Sequence, residues 1–183
     1  MEKFLPGTLI CLCLLLVVFL GMYSGWRSRL KRQGKVFGSL KDVPERYEDM
    51  VAEHAFEGEY VSTTLYGDWL NRVGFDRLGF KSKSTLLVYS DGIIFTRDGA
   101  KDLWIPAKKL AVITTDQGMA GKVVERDGLV VIGWTLDGQR VQTGFRTRFA
   151  AEKKQVLEAL RAVAPEQASD QLQYWPADMM PAT

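Results

Sequence analysis

The chain has 183 residues, which is enough for one domain of ordinary size. Its net charge is +5 over residues 1–35, 0 over residues 36–165 and −3 over residues 166–183. A neutral globular part lacks the basic surface of a typical nucleic-acid-binding domain, and two cysteines confined to an apolar run exclude a disulfide framework. We therefore predict a single domain that does not bind nucleic acid.

An uncharged run near the start of the chain is long enough to cross a bilayer. Residues 4–23 read FLPGTLICLCLLLVVFLGMY, and about 20 helical residues span the hydrocarbon core. A cleaved signal peptide would have a shorter apolar region that ends at a small-x-small site. The run predicts a transmembrane helix at residues 4–26, with residues 1–3 as a short extracytoplasmic end.

The next segment carries a cluster of basic residues: Arg27, Arg29, Lys31, Arg32 and Lys35. By the positive-inside rule they place the rest of the chain in the cytoplasm and the N-terminus outside, so we predict a single-pass protein of the cell membrane. Each basic side chain near an anionic leaflet also adds about 1 kcal/mol of attraction. Contact with the membrane surface and anionic lipid headgroups is one interpretation of the cluster, and a role in topology alone is the other.

Residues 27–52 are interpreted as a juxtamembrane linker with a short helix near residues 45–53. Beyond it, short apolar runs are separated by Asp-Gly pairs at 91–92, 98–99, 127–128 and 137–138. Such pairs are typical of type I′ hairpin turns, in which both central residues have positive φ. They predict an antiparallel sheet of seven strands, at residues 55–66, 82–90, 93–97, 103–115, 121–126, 129–136 and 139–147.

The last two predicted strands show the clearest alternation. Strand 129–136 is apolar on both faces, so we expect it to be central or covered by another element. In strand 139–147, Arg140, Gln142 and Gly144 form the face that we expect to be solvated.

The period then changes to that of a helix. From Thr147, interpreted as the N-cap, to Ala164, a stripe of Phe149, Val156, Leu160 and Val163 predicts an amphipathic helix. Seven strands and a helix that closes the open end of a bent sheet, or open barrel, define a mainly β, α+β fold. This is the pleckstrin-homology (PH) architecture, which we place at residues 53–165.

Several motifs extend this likeness: STTLYGDWLNRV from residue 62, LWIPAKKL from residue 103, GLVVIGWTLDG from residue 128 and QTGFR from residue 142. With these motifs, the chain resembles an actinobacterial family of single-pass membrane proteins that combine an N-terminal anchor with one bacterial PH-like domain. Members are labelled as PH-domain-containing or as export or transport proteins. The resemblance implies this fold and topology, and it implies no catalytic residue.

The residues themselves predict no catalytic, metal or cofactor site. His54 is the only histidine, and although Glu53 and Glu57 are close in sequence, no second His or Cys follows the apolar run. The segment from Gly118 to Lys122 does not match a phosphate-binding loop, which needs four residues between its glycines. We therefore predict that the chain is not an enzyme.

A candidate binding loop follows the first strand. Its residues are Trp69, Arg72, Arg77, Lys81 and Lys83. Docking of a protein, contact with anionic lipid and a purely structural loop are the three interpretations, since Asp68 and Asp76 offset part of the positive charge.

The tail at residues 166–183 is polar and acidic, and we expect it to be disordered when free. Its Tyr174 and Trp175 either dock a partner or fold back on the domain. The sequence as a whole predicts a non-enzymatic, membrane-anchored module that positions a protein partner at the cytoplasmic face of the membrane. The alternatives are a module that senses anionic lipid and an accessory subunit of an export or transport complex.

Overall fold

The computed structural model of the chain describes residues 5–37, 40–123, 127–171 and 175. Two compact units are present, Met1–Val36 and Phe37–Thr183. The first contains all but the last residue of helix α1, Leu5–Phe37, which continues past residue 26, where the predicted transmembrane helix ends.

The large apolar side chains from Ile10 to Met22 of α1 are exposed, from 55% for Leu20 to 71% for Met22. Within the described part of the chain, no helix has the length and hydropathy needed to cross a membrane. The transmembrane span at residues 4–26 stays a prediction.

The second unit is built mainly from strands. Their bounds are β1 His54–Leu65, β2 Asp68–Arg72, β3 Ser82–Tyr89, β4 Gly92–Phe95, β5 Leu103–Pro106, β6 Leu110–Asp116, β7 Gly118–Met119, β8 Lys122–Val123, β9 Leu129–Leu136 and β10 Gln139–Thr147. Eight of them form one antiparallel sheet in the order β5-β4-β3-β1-β10-β9-β6, with β2 paired to β1, while β7 and β8 form a separate hairpin. The antiparallel prediction is confirmed, and the count of seven strands is wrong.

Three local features change the count. The predicted strand 103–115 is divided into β5 and β6 because Pro106 has no N–H to donate and a short 3-10 helix, Ala107–Lys109, follows it. The segment predicted to be a binding loop contains β2. Of the predicted strand 121–126, the described residues contribute only β8, which lies outside the main sheet.

The predicted type I′ turn geometry holds at one of the four Asp-Gly pairs. Asp137 and Gly138 both have positive φ, 44° and 79°, and they join β9 to β10. At the other pairs at most one residue has positive φ, and Gly92 already belongs to β4.

The main core lies between the inner face of the sheet and helix α2, Lys153–Val163. Val156, Ala159 and Leu160 of α2 are buried there. The predicted start of this helix at Thr147 is wrong, because Thr147 still pairs with Gly58 in the sheet.

A short 3-10 helix, Ala150–Glu152, intervenes between β10 and α2. Phe149 comes before both helices and is 57% exposed, so it is not part of the buried stripe.

The outer face of the sheet is also covered in its centre. Met119 and Ala120 of the β7–β8 hairpin pack against Leu129 and Val131 of β9, which confirms that this strand is central and covered. A Cβ at Gly144 would lie only 2.8 Å from Met119 Sδ, so glycine makes room for this cover.

The same cover explains a wrong prediction about β10. Gln142 was expected on a solvated face, yet it is only 2% exposed, and Gly144 is also buried. Arg140, at the start of the strand, is exposed as expected.

The chain joins the domain before residue 53, the predicted start. Leu40 is buried in the main core, with its N–H donating to Asp76 Oδ2 (3.3 Å) and its carbonyl accepting from Lys101 Nζ (2.7 Å). Tyr47 packs against the rings of Tyr89 and Trp104, with centroids 4.7 and 4.6 Å away. It lies in a 3-10 helix of three residues, where the sequence predicted a helix over 45–53.

Candidate functional site

The β1–β2 hairpin presents large apolar side chains to solvent. Trp69 is 44% and Leu70 60% exposed, both on β2. The backbone behind them is fixed, because the Ala120 N–H donates to Trp69 O (2.6 Å) and the Arg72 guanidinium donates to Ala120 O. Exposed apolar side chains on a fixed backbone form a surface suited to contact with another molecule. We call Trp69 and Leu70 the hairpin surface.

The other predicted loop residues lie in separate places. Arg77 donates to the carbonyl of Gly99, in the loop between β4 and β5. Lys81 forms an ion pair with Glu59 (2.7 Å), and Lys83 lies on β3. The structure therefore brings Trp69 and Arg72 together on β2 and places the remaining three residues elsewhere.

A polar groove of about 800 Å³ lies between β1, β3, β10 and the start of α2. Its charged lining residues are Lys83, Arg146, Arg148, Lys153, Glu57, Glu59 and Asp98. Arg148 is paired with Glu57, and Lys153 donates to Asp127 O (2.8 Å). Ser84 also lines the groove, and its buried Oγ has no hydrogen-bond partner.

Sequence reasoning missed Arg146, Arg148 and Lys153 of this groove. Arg146 lies near the end of β10 and Arg148 directly follows the strand, so their spacing of two residues was the signal that could have placed them on one face. Three carboxylates offset most of the positive charge of the four cations that line the groove.

A buried arginine holds two loops of the domain together. Arg97 is 4% exposed, and its guanidinium donates to the carbonyls of Lys101 (2.8 Å), Arg77 (3.3 Å) and Asp76 (3.3 Å). Burial lowers the pKa of Arg97, while the nearby Tyr60 and acidic groups oppose this shift. Asp76 and Arg77 both have positive φ, 44° and 58°, so the guanidinium fastens a strained turn. Nothing in the sequence pattern distinguishes this arginine from an exposed one.

Next to Arg97, a chain of hydrogen bonds crosses the core. The Tyr60 hydroxyl donates to Leu78 O (3.0 Å) and is bonded to Thr63 Oγ1. Thr63 Oγ1 lies 2.7 Å from Thr143 Oγ1, which also accepts from Trp134 Nε1 (2.9 Å). Burial raises the pKa of Tyr60 to about 12.

The residues considered for catalysis lie on the surface. His54 is exposed and stacks on Phe56, with ring centroids 5.9 Å apart. Among the residues that the structure describes, no group of three His, Cys, Asp or Glu side chains could hold a metal ion. The prediction that the chain is not an enzyme stays a prediction.

The predicted membrane-surface residues all belong to α1. Arg27 is exposed and donates from Nη1 to the Tyr23 hydroxyl (3.2 Å). The side chains of Arg29, Lys31, Arg32 and Lys35 lie outside the described residues, so surface contact stays a prediction.

The structure describes only one of the two predicted docking residues of the tail. Tyr174 lies outside the described residues, whereas Trp175 is only 8% exposed and is folded back on the domain. Its ring meets Tyr66 edge-on, with centroids 4.6 Å apart. The predicted disorder of the tail therefore does not extend to Trp175, because an aromatic contact holds it.

An antiparallel sheet with one C-terminal helix packed on its inner face is typical of a PH-like module. The sequence matches the family described as bacterial PH domain-like over residues 37–161. The chain belongs to this family, and the predicted PH-like domain is confirmed. The match begins close to Leu40, where the chain joins the core. A comparison with curated proteins finds no match.

Proposed function

We propose that the chain is a non-enzymatic binding module, anchored in the cell membrane by α1, that holds a protein partner on its hairpin surface at the cytoplasmic face. The observation that carries the proposal is the exposure of Trp69 and Leu70 on a strand whose backbone is fastened to Ala120. Aromatic side chains held in place before binding lose little conformational freedom, and they dominate the energetics of many protein interfaces.

The anchor is supported by the sequence and by the exposure of α1. The run at residues 4–23 has no charged residue, and the large apolar side chains from Ile10 to Met22 are 55–71% exposed. The basic segment that follows favours a cytoplasmic position for the domain.

Recognition of anionic lipid is the second candidate, and the groove favours it through Lys83, Arg146, Arg148 and Lys153. Against it, Glu57 already pairs with Arg148, and two further carboxylates line the same space. The balance of charge makes a protein the better ligand for this domain. An accessory role in an export or transport complex would require that partner to be embedded in the membrane.

The test is affinity capture of the full-length protein from gently solubilised membranes, followed by mass spectrometry. We compare the unmodified chain with a double variant, Trp69→Ser and Leu70→Ser. The matched control is Phe149→Ser, since Phe149 is 57% exposed and lies elsewhere on the domain. We expect the double variant to lose about tenfold in recovered partner, as for an interface that loses an aromatic anchor.

Equal recovery by the double variant and the unmodified chain would contradict the hairpin surface as the docking site. For the lipid candidate, residues 36–183 are floated with anionic vesicles at two salt concentrations. Strong, salt-sensitive flotation that Arg146→Ala removes would favour lipid over protein as the ligand.

A further inference from the structure

The C-terminal tail adds backbone pairing to the edge of the sheet. β6 is the last strand in the sheet order, and Ser169 forms a parallel bridge with its Val112. The Ile113 N–H donates to Ser169 O (2.9 Å), and the Ser169 N–H donates to Ala111 O (2.8 Å). The tail therefore covers part of an edge that would otherwise offer unpaired backbone groups to another chain.

A few residues further on, Trp175 anchors the same segment. Its ring packs with Ala111, Val112 and Tyr66. The Arg140 guanidinium lies over both aromatic rings, 5.8 Å from Trp175 and 5.9 Å from Tyr66. This is a formed site for an indole, with an aromatic wall, an aliphatic floor and a cation above it.

The contacts define the chemistry that the site accepts. Backbone pairing at Ser169 requires an extended conformation at that one residue, which lies between a turn at residues 166–167 and a bend at Asp170. The ring site requires a large aromatic side chain at the position of Trp175. The tail carries a net charge of −3, which complements Arg140. In the described part of the tail, Ser169 and Trp175 supply these contacts, so a similar segment can replace it without disturbing the sheet.

We infer that the surface formed by β6, Tyr66 and Arg140 is a docking slot for an acidic, tryptophan-bearing segment of a partner protein, which the chain's own Ser169 and Trp175 occupy until that partner displaces them. This tail slot adjoins the hairpin surface, since Tyr66 leads into β2. The inference goes beyond the proposed function and does not depend on it. A tethered tail competes at an effective concentration of about 1 mM, so a partner segment displaces it only if it binds the slot more tightly than the tail does.

The test uses a fluorescent peptide of residues 165–183 and full-length protein in detergent micelles, with binding followed by fluorescence anisotropy. The unmodified chain is compared with Trp175→Ala, which vacates the slot in the protein. We expect the peptide to bind the variant at least about tenfold more tightly than the unmodified chain. A peptide that itself carries Trp175→Ala should not bind. Equal binding of the peptide to both proteins would overturn the inference.

Two further variants keep the result independent of folding defects. Ser169→Pro removes the N–H that donates to Ala111 O and leaves Trp175 intact, so it should also raise peptide affinity. Adding Arg140→Ala to the Trp175→Ala protein should reverse most of the gain, whereas Arg161→Ala, an exposed cation on α2, should not. Failure of both tail variants to raise affinity in folded protein sinks the idea, whatever the outcome of partner capture by the hairpin surface.

Discussion

Buried polar side chains of the central strands are hydrogen-bonded on the inner face of the sheet, but two of them on the outer face are not. On the inner face, Tyr60, Thr63, Thr143 and Trp134 join their side chains in one continuous set of hydrogen bonds. On the outer face, Thr64 Oγ1 and Gln142 Oε1 are buried without hydrogen-bond partners, although their residues face each other in the β1–β10 register. Thr64 is adjacent in sequence to Thr63.

This difference follows from what covers each face. A single core packed on α2 covers the inner face. Separate small clusters around Met119 and Trp175 cover the outer face. A buried hydroxyl without a partner costs about 1–3 kcal/mol, so the inner face concentrates the stability of the domain.

The largest effect is expected when the same substitution is made at a buried and at an exposed tryptophan. Trp134→Ala removes a fully buried ring and its bond to Thr143, so we expect a loss of about 3–5 kcal/mol in the free energy of unfolding. Trp69→Ala, on the exposed hairpin, should cost about 1 kcal/mol or less. Denaturant unfolding measured for both variants checks the comparison, and similar losses would break it.

A substitution of Arg97 tests whether its buried guanidinium holds together the loops that contain Asp76, Arg77 and Lys101. Arg97→Met leaves the carbonyls of Lys101, Arg77 and Asp76 without their donor. We expect a loss of about 3 kcal/mol, while the exposed Arg161→Met should stay within about 0.5 kcal/mol. Thermal unfolding monitored by circular dichroism distinguishes the two, and an unchanged Arg97→Met protein contradicts the fastening role.

The pH dependence of stability should reveal Tyr60. Its pKa is about 12 in the folded domain against 10.0 for the ordinary group. Between these values the unfolded chain releases the proton and the folded domain retains it, so raising the pH favours unfolding. This group should contribute a loss of about 2–3 kcal/mol between pH 10 and 12.

Tyr60→Phe provides the reference for that measurement, because it lacks the titrating hydroxyl. The difference in unfolding free energy between the two proteins should be constant below pH 10. Between pH 10 and 12 it should change, because only the unmodified protein loses the contribution of Tyr60. Parallel curves throughout would show that Tyr60 titrates alike in both states.

The smallest effect is the sharpest test, since it compares neighbouring residues of equal shape. Thr63→Val breaks bonds to Tyr60 and Thr143, and we expect it to cost about 1–2 kcal/mol. Thr64→Val removes a hydroxyl whose oxygen has no partner, so it should be neutral or stabilising by up to about 1 kcal/mol. Urea unfolding of the two variants measures this difference. Equal losses in the free energy of unfolding would contradict the proposed distinction between the two faces.

Local patterns predicted the C-terminal half of the sheet well. The bounds of β9 and β10 match the predicted 129–136 and 139–147, because alternation and an Asp-Gly turn both act over a few residues. The division at Pro106 was not predicted, although the missing N–H of proline was a local signal for it.

Contacts distant in sequence account for most of what was missed. Leu40 and Tyr47 are isolated apolar residues in a polar segment, and only the folded domain supplies the cores that bury them. Gln142 alternates as a solvated residue would, yet the distant β7–β8 hairpin covers its face.

For the same reason, the sequence predicted only part of the candidate site. Trp69 belonged to the predicted binding loop, whereas the burial of Arg97 and the site for Trp175 depend on elements far away in the chain.

The fastening of Leu40 has a mechanical consequence. Its amide and carbonyl are held by Asp76 and Lys101, and Arg97 bonds to backbone carbonyls of those same two residues. Tension applied to the chain ahead of residue 40 would therefore load these two loops before it reached β1. The hydrogen bonds of the Arg97 guanidinium would therefore resist the force first. The strands of the sheet would bear it only after those bonds had broken.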